Sequence, residues 1–228
     1  MARQFPELRV IRYDSDTTRT KGAHRNLLTK FVNREADILL GTQMLTKGLD
    51  LPQVTLVGVI AADGLLHLSD YRASERAFQT LTQVAGRAGR GEDPGRVILQ
   101  TYTPEHPVIS AVCGHDYAKF TNSELEQRQA LNYPPYGRLI LLRLSSLDAV
   151  KVANAAEMIA VFLRSWEGYD ILGPAPASVM RVANRYRWQI LLKFAQDTLP
   201  QLPDWENVRE ICPDSVSLTI DVDPMNMM

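Results

Sequence analysis

The sequence predicts an α/β protein built from a parallel-sheet lobe and a smaller α+β domain. Three observations carry that expectation. Short apolar strands alternate with amphipathic helices through residues 1–103, the order that builds a parallel layer. Tyr133-Pro134-Pro135-Tyr136-Gly137 then breaks the chain. Beyond the break the predicted elements run strand, helix, strand, strand, helix, strand.

In chain order, Leu8-Arg9-Val10-Ile11 reads as a short strand, and a helix over 21–34 puts Leu27, Leu28, Phe31 and Val32 on its inner side. Residues 37–40 form a strand ending at Gly41, and 54–62 a nearly continuous apolar run of the kind found in a central parallel strand. A helix over 71–90 follows from Ala77, Phe78, Leu81 and Val84 at three- and four-residue spacing. A turn at Gly91-Glu92-Asp93-Pro94-Gly95 leads to a strand over 96–101, and 104–132 is helical in two pieces. The last part reads as strand 138–146, helix 148–165, strands 169–173 and 187–194, helix 198–211 and strand 216–222. That order is the split βαβ of a ferredoxin-like domain.

A chain of 228 residues can bury a sizeable core and accommodates two domains of ordinary size. Hydrophobic content of 45% and charged content of 22% are those of a soluble globular protein. The net charge of −1 announces no polyanionic partner, but between residues 171 and 195 stand Arg181, Arg185, Arg187 and Lys193 with no Asp or Glu. That argues for a local basic surface. Cys113 and Cys212 lie far apart without CxxC spacing, so buried free thiols are expected rather than a zinc site or a disulfide framework. No apolar leader and no membrane-length run is present, which gives a cytoplasmic expectation with no membrane partner.

The most informative stretch is Gln83-Val84-Ala85-Gly86-Arg87-Ala88-Gly89-Arg90. In a helix, Arg87 and Arg90 share one face of the last turn, and the glycines leave that face bare for a large anion. Planar guanidiniums suit phosphate oxygens. The other reading is a helix C-terminus at which arginines complement the dipole and glycines stop the helix. A second stretch, Gly41-Thr42-Gln43-Met44-Leu45-Thr46-Lys47-Gly48-Leu49-Asp50, follows a strand end, where ligands of parallel sheets gather, as does Asp63-Gly64. There Thr42 offers a hydroxyl and an N–H to phosphate and Lys47 a charge. Taken alone, Asp50 is more often a loop or helix-capping carboxylate than a ligand contact. Asp14-Ser15-Asp16 is better read as helix capping ahead of Lys21 than as a metal loop, because the EF-hand pattern fails downstream. Alternation along one later strand sends Arg185, Arg187 and Gln189 to one face and Tyr186 and Trp188 to the other.

Gln-x-x-Gly-Arg-x-Gly-Arg resembles the sixth motif of superfamily 2 helicases, and the stretch from Gly41 resembles their motif V, in the right order. The resemblance implies a second RecA-like lobe, in which Gln83, Arg87 and Arg90 face ATP and Mg²⁺ held by another lobe, with Arg90 the finger. It implies nucleotide contacts at Gly48 and Asp50, and DNA contacts at Thr42, Gln43 and Lys47. Further stretches narrow it: Asp16-Thr17-Thr18, Leu99-Gln100-Thr101, Pro104-Glu105-His106-Pro107, Tyr133-Pro134-Pro135, Leu172-Gly173-Pro174-Ala175-Pro176, Arg187-Trp188-Gln189-Ile190-Leu191-Leu192 and Asp221-Val222-Asp223-Pro224. Together, over nearly the whole chain, these resemble the C-terminal portion of the PriA (primosomal protein N-prime) replication-restart helicases. That implies an ATP-dependent 3′ to 5′ DNA helicase acting at stalled forks. Its implied partners are forked and single-stranded DNA, other primosome proteins and single-stranded-DNA-binding protein, whose tail would meet Arg185 and Gln189.

Departures set limits. The chain has no Gly-x-x-x-x-Gly-Lys-Ser/Thr and no Asp-Glu-x-His, so it should not hydrolyse ATP alone. It lacks the family's paired cysteines, so zinc is expected only in the full-length protein. The expected organisation is residues 1–103 as a second lobe incomplete at its start, 104–137 as a helical connector and 138–228 as the C-terminal α+β domain. With the lobe's first strand and helix missing, core surface is expected to lie bare. The alternative is a non-catalytic adaptor that binds DNA and single-stranded-DNA-binding protein through Thr42, Lys47 and the basic strand over 181–193.

Overall fold

A computed structural model describes residues 6–46, 51–89, 94–198 and 200–227. They form a mixed α/β structure in two units, one comprising residues 1–67 and 74–120 and the other 68–73 and 121–228.

In the first unit, β1 (Val10–Tyr13) pairs in parallel with β2 (Ile38–Gly41), and α1 (Ala23–Val32) makes the crossover. A second parallel pair joins β3 (Leu56–Val59) to β4 (Arg96–Leu99), with α2 (Asp63–Leu66) and α3 (Ala73–Ala85) between them in sequence. Among the described residues these remain two ladders of two strands. The core packs Ala77, Phe78 and Leu81 of α3 against Val108, Ile109, Ala111 and Val112 of α4 (Pro107–Cys113). It also takes Phe120 from α5 (Tyr117–Ala130), whose ring stacks on Phe78 with centroids 4.2 Å apart.

Helix α3 is shorter than the predicted 71–90, and both ends have physical causes. At its start the Asp70 carboxylate and carbonyl take the N–H groups of Arg72 and Ala73, closing a turn ahead of the helix. At its end the Gly86 and Arg87 amides bond back to Thr82 and Val84, and Gly89, with φ of 71°, donates to the Val54 carbonyl. Arg87 therefore lies in a turn beyond the helix rather than on its last turn. The capping expectation near Lys21 also fails. Helix α1 starts at Gly22 with no side-chain cap, while Asp14 accepts the amides of Asp16 and Thr17 and shapes a loop of its own.

In the second unit, β5 (Gly137–Ser146), β6 (Asp170–Val182), β7 (Arg185–Ala195) and β8 (Ser217–Val222) form an antiparallel sheet in the order β6-β7-β5-β8. Helix α6 (Ala149–Leu163) starts at Asp148, whose side chain accepts the amides of Val150 and Lys151. It lays Val152, Ala155, Ala156, Ile159, Ala160 and Leu163 on the sheet's Ile140, Leu142, Leu144, Ile190, Leu192 and Phe194. The sheet's alternate residues Leu139, Leu141 and Leu191 pack with Met227, Tyr71 and Tyr133.

Two predicted boundaries in this unit are corrected. Strands β6 and β7 form a longer hairpin than expected because β6 is an edge strand. Pro174 and Pro176 cost it no ladder bond that a central strand would need, and the pairing register shifts between Leu172 and Ala175 and again between Pro176 and Arg181. The helix expected over 198–211 is only α7 (Trp205–Glu210). Pro200 and Pro203 exclude an earlier start, and Asp204 supplies the cap to Glu206.

Candidate functional site

The predicted site residues fall on three places in the described structure. Strand β2 ends at Gly41, where a Cβ would collide with the Tyr13 carbonyl oxygen, so only glycine lets the two strand ends run this close. Thr42 and Gln43 follow immediately and are exposed, entering a short 3₁₀ turn over Gln43–Thr46. An exposed hydroxyl at the carboxyl end of a parallel strand can meet a phosphate or sugar. Lys47, Gly48 and Asp50 lie outside the described residues.

Gln83 is exposed in the last turn of α3, and Arg87 is half-buried in the turn that follows. Gly89 carries the chain out of that turn. A Cβ on it would come within 2.5 Å of the Gly95 nitrogen, so two backbones cross here with nothing between them. Arg90 lies outside the described residues.

The ends of β3 and β4 are tied together by a group that the sequence marked only as a strand end. Asp63 accepts from the hydroxyls of Thr101 at 2.8 Å and Thr103 at 3.1 Å and from the Tyr102 amide at 3.1 Å. Burial opposes its charge, yet these donors outweigh it and hold the carboxyl below its ordinary value. The partners stand far away in sequence, so no local spacing could have shown them. Among the described residues no group of three or more His, Cys, Asp or Glu could hold a metal ion.

In the second unit Arg185 is half-buried, donating from Nη2 to the Ser145 carbonyl at 2.9 Å and from Nε to the Ser145 hydroxyl at 3.2 Å. It lines a cavity of about 600 Å³ together with Ser146, Asp148, Lys151 and Asp214. Gln189 sits four residues further along β7, paired with Arg143 of β5 and Ala175 of β6, and does not line that cavity. Tyr186 and Trp188 pack on the α6 side of the sheet.

The sequence reading also missed a stack in this unit. The rings of Tyr71 and Tyr133 lie 5.6 Å apart and nearly parallel, with Arg128 over the first and Lys193 over the second. The sequence marks Tyr133 as part of a helix-breaking segment and of the Tyr133-Pro134-Pro135 stretch, neither of which points to a ring partner at Tyr71.

Residues 1–92 match the model of the helicase conserved C-terminal domain, and residues 129–225 match that of the primosomal protein N C-terminal domain. The chain is 58% identical to the replication restart protein PriA of Synechocystis sp., over all of this chain and 27% of that protein. It is 47% identical to the PriA of Bacillus subtilis, over all of this chain and 29% of that protein. With the PriA of Treponema pallidum it shares 40% identity, over 98% of this chain and 34% of that protein. The chain thus spans about a third or less of the length of these curated relatives.

Proposed function

Because this chain belongs to the PriA replication restart family, corresponding to its C-terminal part, we propose that it supplies the second motor lobe and C-terminal domain of an ATP-dependent 3′ to 5′ DNA helicase. In this reading residues 1–103 are part of a RecA-like lobe, 104–137 a connector and 138–228 a ferredoxin-like domain. The strand order β6-β7-β5-β8, with helices after the first and third strands, supports the last assignment.

The observation that carries the reading is the exit of α3. Gln83 and Arg87 lie at a turn within residues 1–92, the segment that matches the helicase model, and the Gly89–Gly95 backbone crossing closes it. A guanidinium and a side-chain amide are the groups that the finger side of a nucleotide site uses, as distinct from the side that holds the metal. ATP with Mg²⁺ supplies the phosphoryl group whose leaving charge such guanidiniums offset. In this assignment Gln83, Arg87 and Arg90 would serve that charge, Gly48 and Asp50 the nucleotide, and Thr42, Gln43 and Lys47 the DNA backbone. A chain with this inventory does not hydrolyse ATP alone, and zinc belongs to the full-length protein only. Its setting is the cytoplasm, at stalled forks with single-stranded DNA, other primosome proteins and single-stranded-DNA-binding protein. The acidic tail of that last partner meets Arg185 and Gln189.

An ATPase assay of this chain with and without an added first lobe tests the motor reading. DNA-dependent hydrolysis that appears on mixing and disappears with Arg90→Ala is the expected result. No stimulation at all overturns it in favour of a non-catalytic adaptor for DNA and single-stranded-DNA-binding protein. The absence of Asp and Glu across residues 171–195 is the observation that favours that second reading.

A further inference from the structure

The β6–β7 hairpin outruns the rest of its sheet. Strand β5 pairs with β7 only as far as Ser146 opposite Tyr186, whereas β6 and β7, after a register shift between Pro176 and Arg181, resume at Arg181 opposite Tyr186 and run one pair further, Val182 opposite Arg185. Ala183 and Asn184, with φ of 47° and 63°, close the two-residue turn. Residues 178–184 are all exposed. Among them Val179, Met180 and Val182 present 49%, 58% and 47% of their surface to solvent. Val179 and Met180 lie in the register-shifted stretch just before Arg181, and Val182 in the last pair before the turn, so the three make one apolar patch at the hairpin's end.

Every charged side chain between residues 171 and 195 is basic, and Asp148 and Asp214 line the cavity at Arg185 behind the tip. Arg181 lies over the Tyr186 ring at 5.1 Å, which holds its guanidinium against the stem. Arg185 is tied to Ser145, and Arg187 follows it, while residues 171–195 contain no carboxylate. A two-stranded ribbon is narrow enough to enter a DNA groove. Proteins that open or kink a duplex place apolar side chains against a base step while arginines hold the flanking phosphates.

We infer that the tip of the β6–β7 hairpin is a wedge for duplex DNA. Met180 and Val182 press on an exposed base pair where a duplex meets single strands, and Arg181 anchors the adjoining phosphate. The inference rests on the DNA-binding part of the proposed function and adds a place and a chemistry to it.

The test uses this chain and a fluorescein-labelled fork carrying 2-aminopurine at the junction, with binding followed by anisotropy at several salt concentrations. Binding is expected to raise the 2-aminopurine signal as the junction pair unstacks. Met180→Ser with Val182→Ser should abolish that rise while changing Kd by less than about threefold, since phosphate contacts carry most of the affinity. Arg181→Ala should weaken binding several-fold and reduce the log-log salt slope by about 1. All three side chains are exposed, so unchanged thermal melting confirms that the variants fold. The wedge is overturned if the variants match the unsubstituted chain while Thr42→Ala with Lys47→Ala weakens binding, an outcome that leaves the DNA reading intact. If the serine variant loses only the acidic tail peptide of single-stranded-DNA-binding protein, the tip is a protein contact and the wedge is wrong. If no fork binds at low salt, the DNA reading fails together with the wedge.

Discussion

Tyr71 stacks on Tyr133 with ring centroids 5.6 Å apart and planes 4° from parallel. The pair is flanked by Arg128 at 5.4 Å on one side and Lys193 at 5.2 Å on the other, so two cations and two rings form one column. Arg128 is itself held by Glu124 at 2.8 Å, with both side chains largely out of solvent. Next to Tyr71, Asp70 is buried and accepts the Met227 amide, which fastens the 68–73 segment to the chain's last described residues. Tyr71→Ala removes the ring contact, a cation–π contact and part of the Leu139, Leu141, Leu191 and Met227 packing. The expected loss is about 2–4 kcal/mol, read from urea unfolding followed by far-ultraviolet circular dichroism. Tyr102→Ala serves as the control. That ring is 91% exposed, so its removal should change stability by less than about 0.5 kcal/mol.

The start of the first unit carries an acid-sensitive tie. Asp37 receives both the side chain and the backbone N–H of Arg9, at 2.7 Å from Nη2 and 2.9 Å from the amide, and its pKa is lowered to about 2. A carboxyl whose folded pKa lies below its unfolded value contributes stability above the unfolded value and loses it as pH falls through the folded one. The β1–β2 ladder, which begins beside this pair, should therefore lose hydrogen-exchange protection between about pH 4 and pH 2. Asp37→Asn should lower protection at neutral pH and flatten the profile across that window. An identical pH profile in the variant would mean that the tie contributes nothing to the ladder.

Much of this fold could be read from periodicity, and the misses have physical causes. The β5 and α6 spans were close because one sheet face and one helix face are wholly apolar, as in Leu142, Leu144, Val152 and Ile159. The hairpin was underestimated because Pro174 and Pro176 signal a break in a central strand but not in an edge strand. Helix α7 is shorter than the predicted 198–211 because apolar spacing runs on through Pro200 and Pro203, which a helix interior does not tolerate. At the candidate site, Gly41-Thr42-Gln43 and the end of α3 were visible as local patterns. The Asp63 tie to Thr101 and the Tyr71–Tyr133 column join distant positions through single contacts, which no periodicity records.

The turn after α3 depends on two glycines. Gly89 has φ of 71°, and a Cβ there meets the Gly95 backbone; a Cβ on Gly95 meets Gly89 in return. Gly89→Ala combines left-handed strain with a backbone clash, and is expected to cost on the order of 1–3 kcal/mol locally. The consequence to measure is faster amide exchange from Gln83 through Arg87 and at the Gly89 amide that donates to Val54, with the β5–β8 sheet unchanged. Uniform exchange in the variant and the parent would show that the crossing does not position Arg87.

The β3–β4 pair has one face turned to the core and one turned to water. Val59 and Leu99 pack on the first-unit core, whereas Leu56, Ile60 and Ile98 are 58%, 67% and 51% exposed. Register puts Ile98 opposite Gly58, so the alternating residues Leu56, Gly58, Ile60 and Ile98 share one outer face. Parallel strands are ordinarily covered on both faces, and an apolar face left open binds whatever apolar surface it meets. This chain should therefore enhance the fluorescence of anilinonaphthalene sulfonate while fully folded, and should associate as concentration rises. Ile60→Lys with Ile98→Lys should remove most of that dye binding and association. Because neither side chain is buried, the pair should leave the melting temperature within a few degrees of the parent. Dye binding that survives both lysines would place the open apolar surface elsewhere.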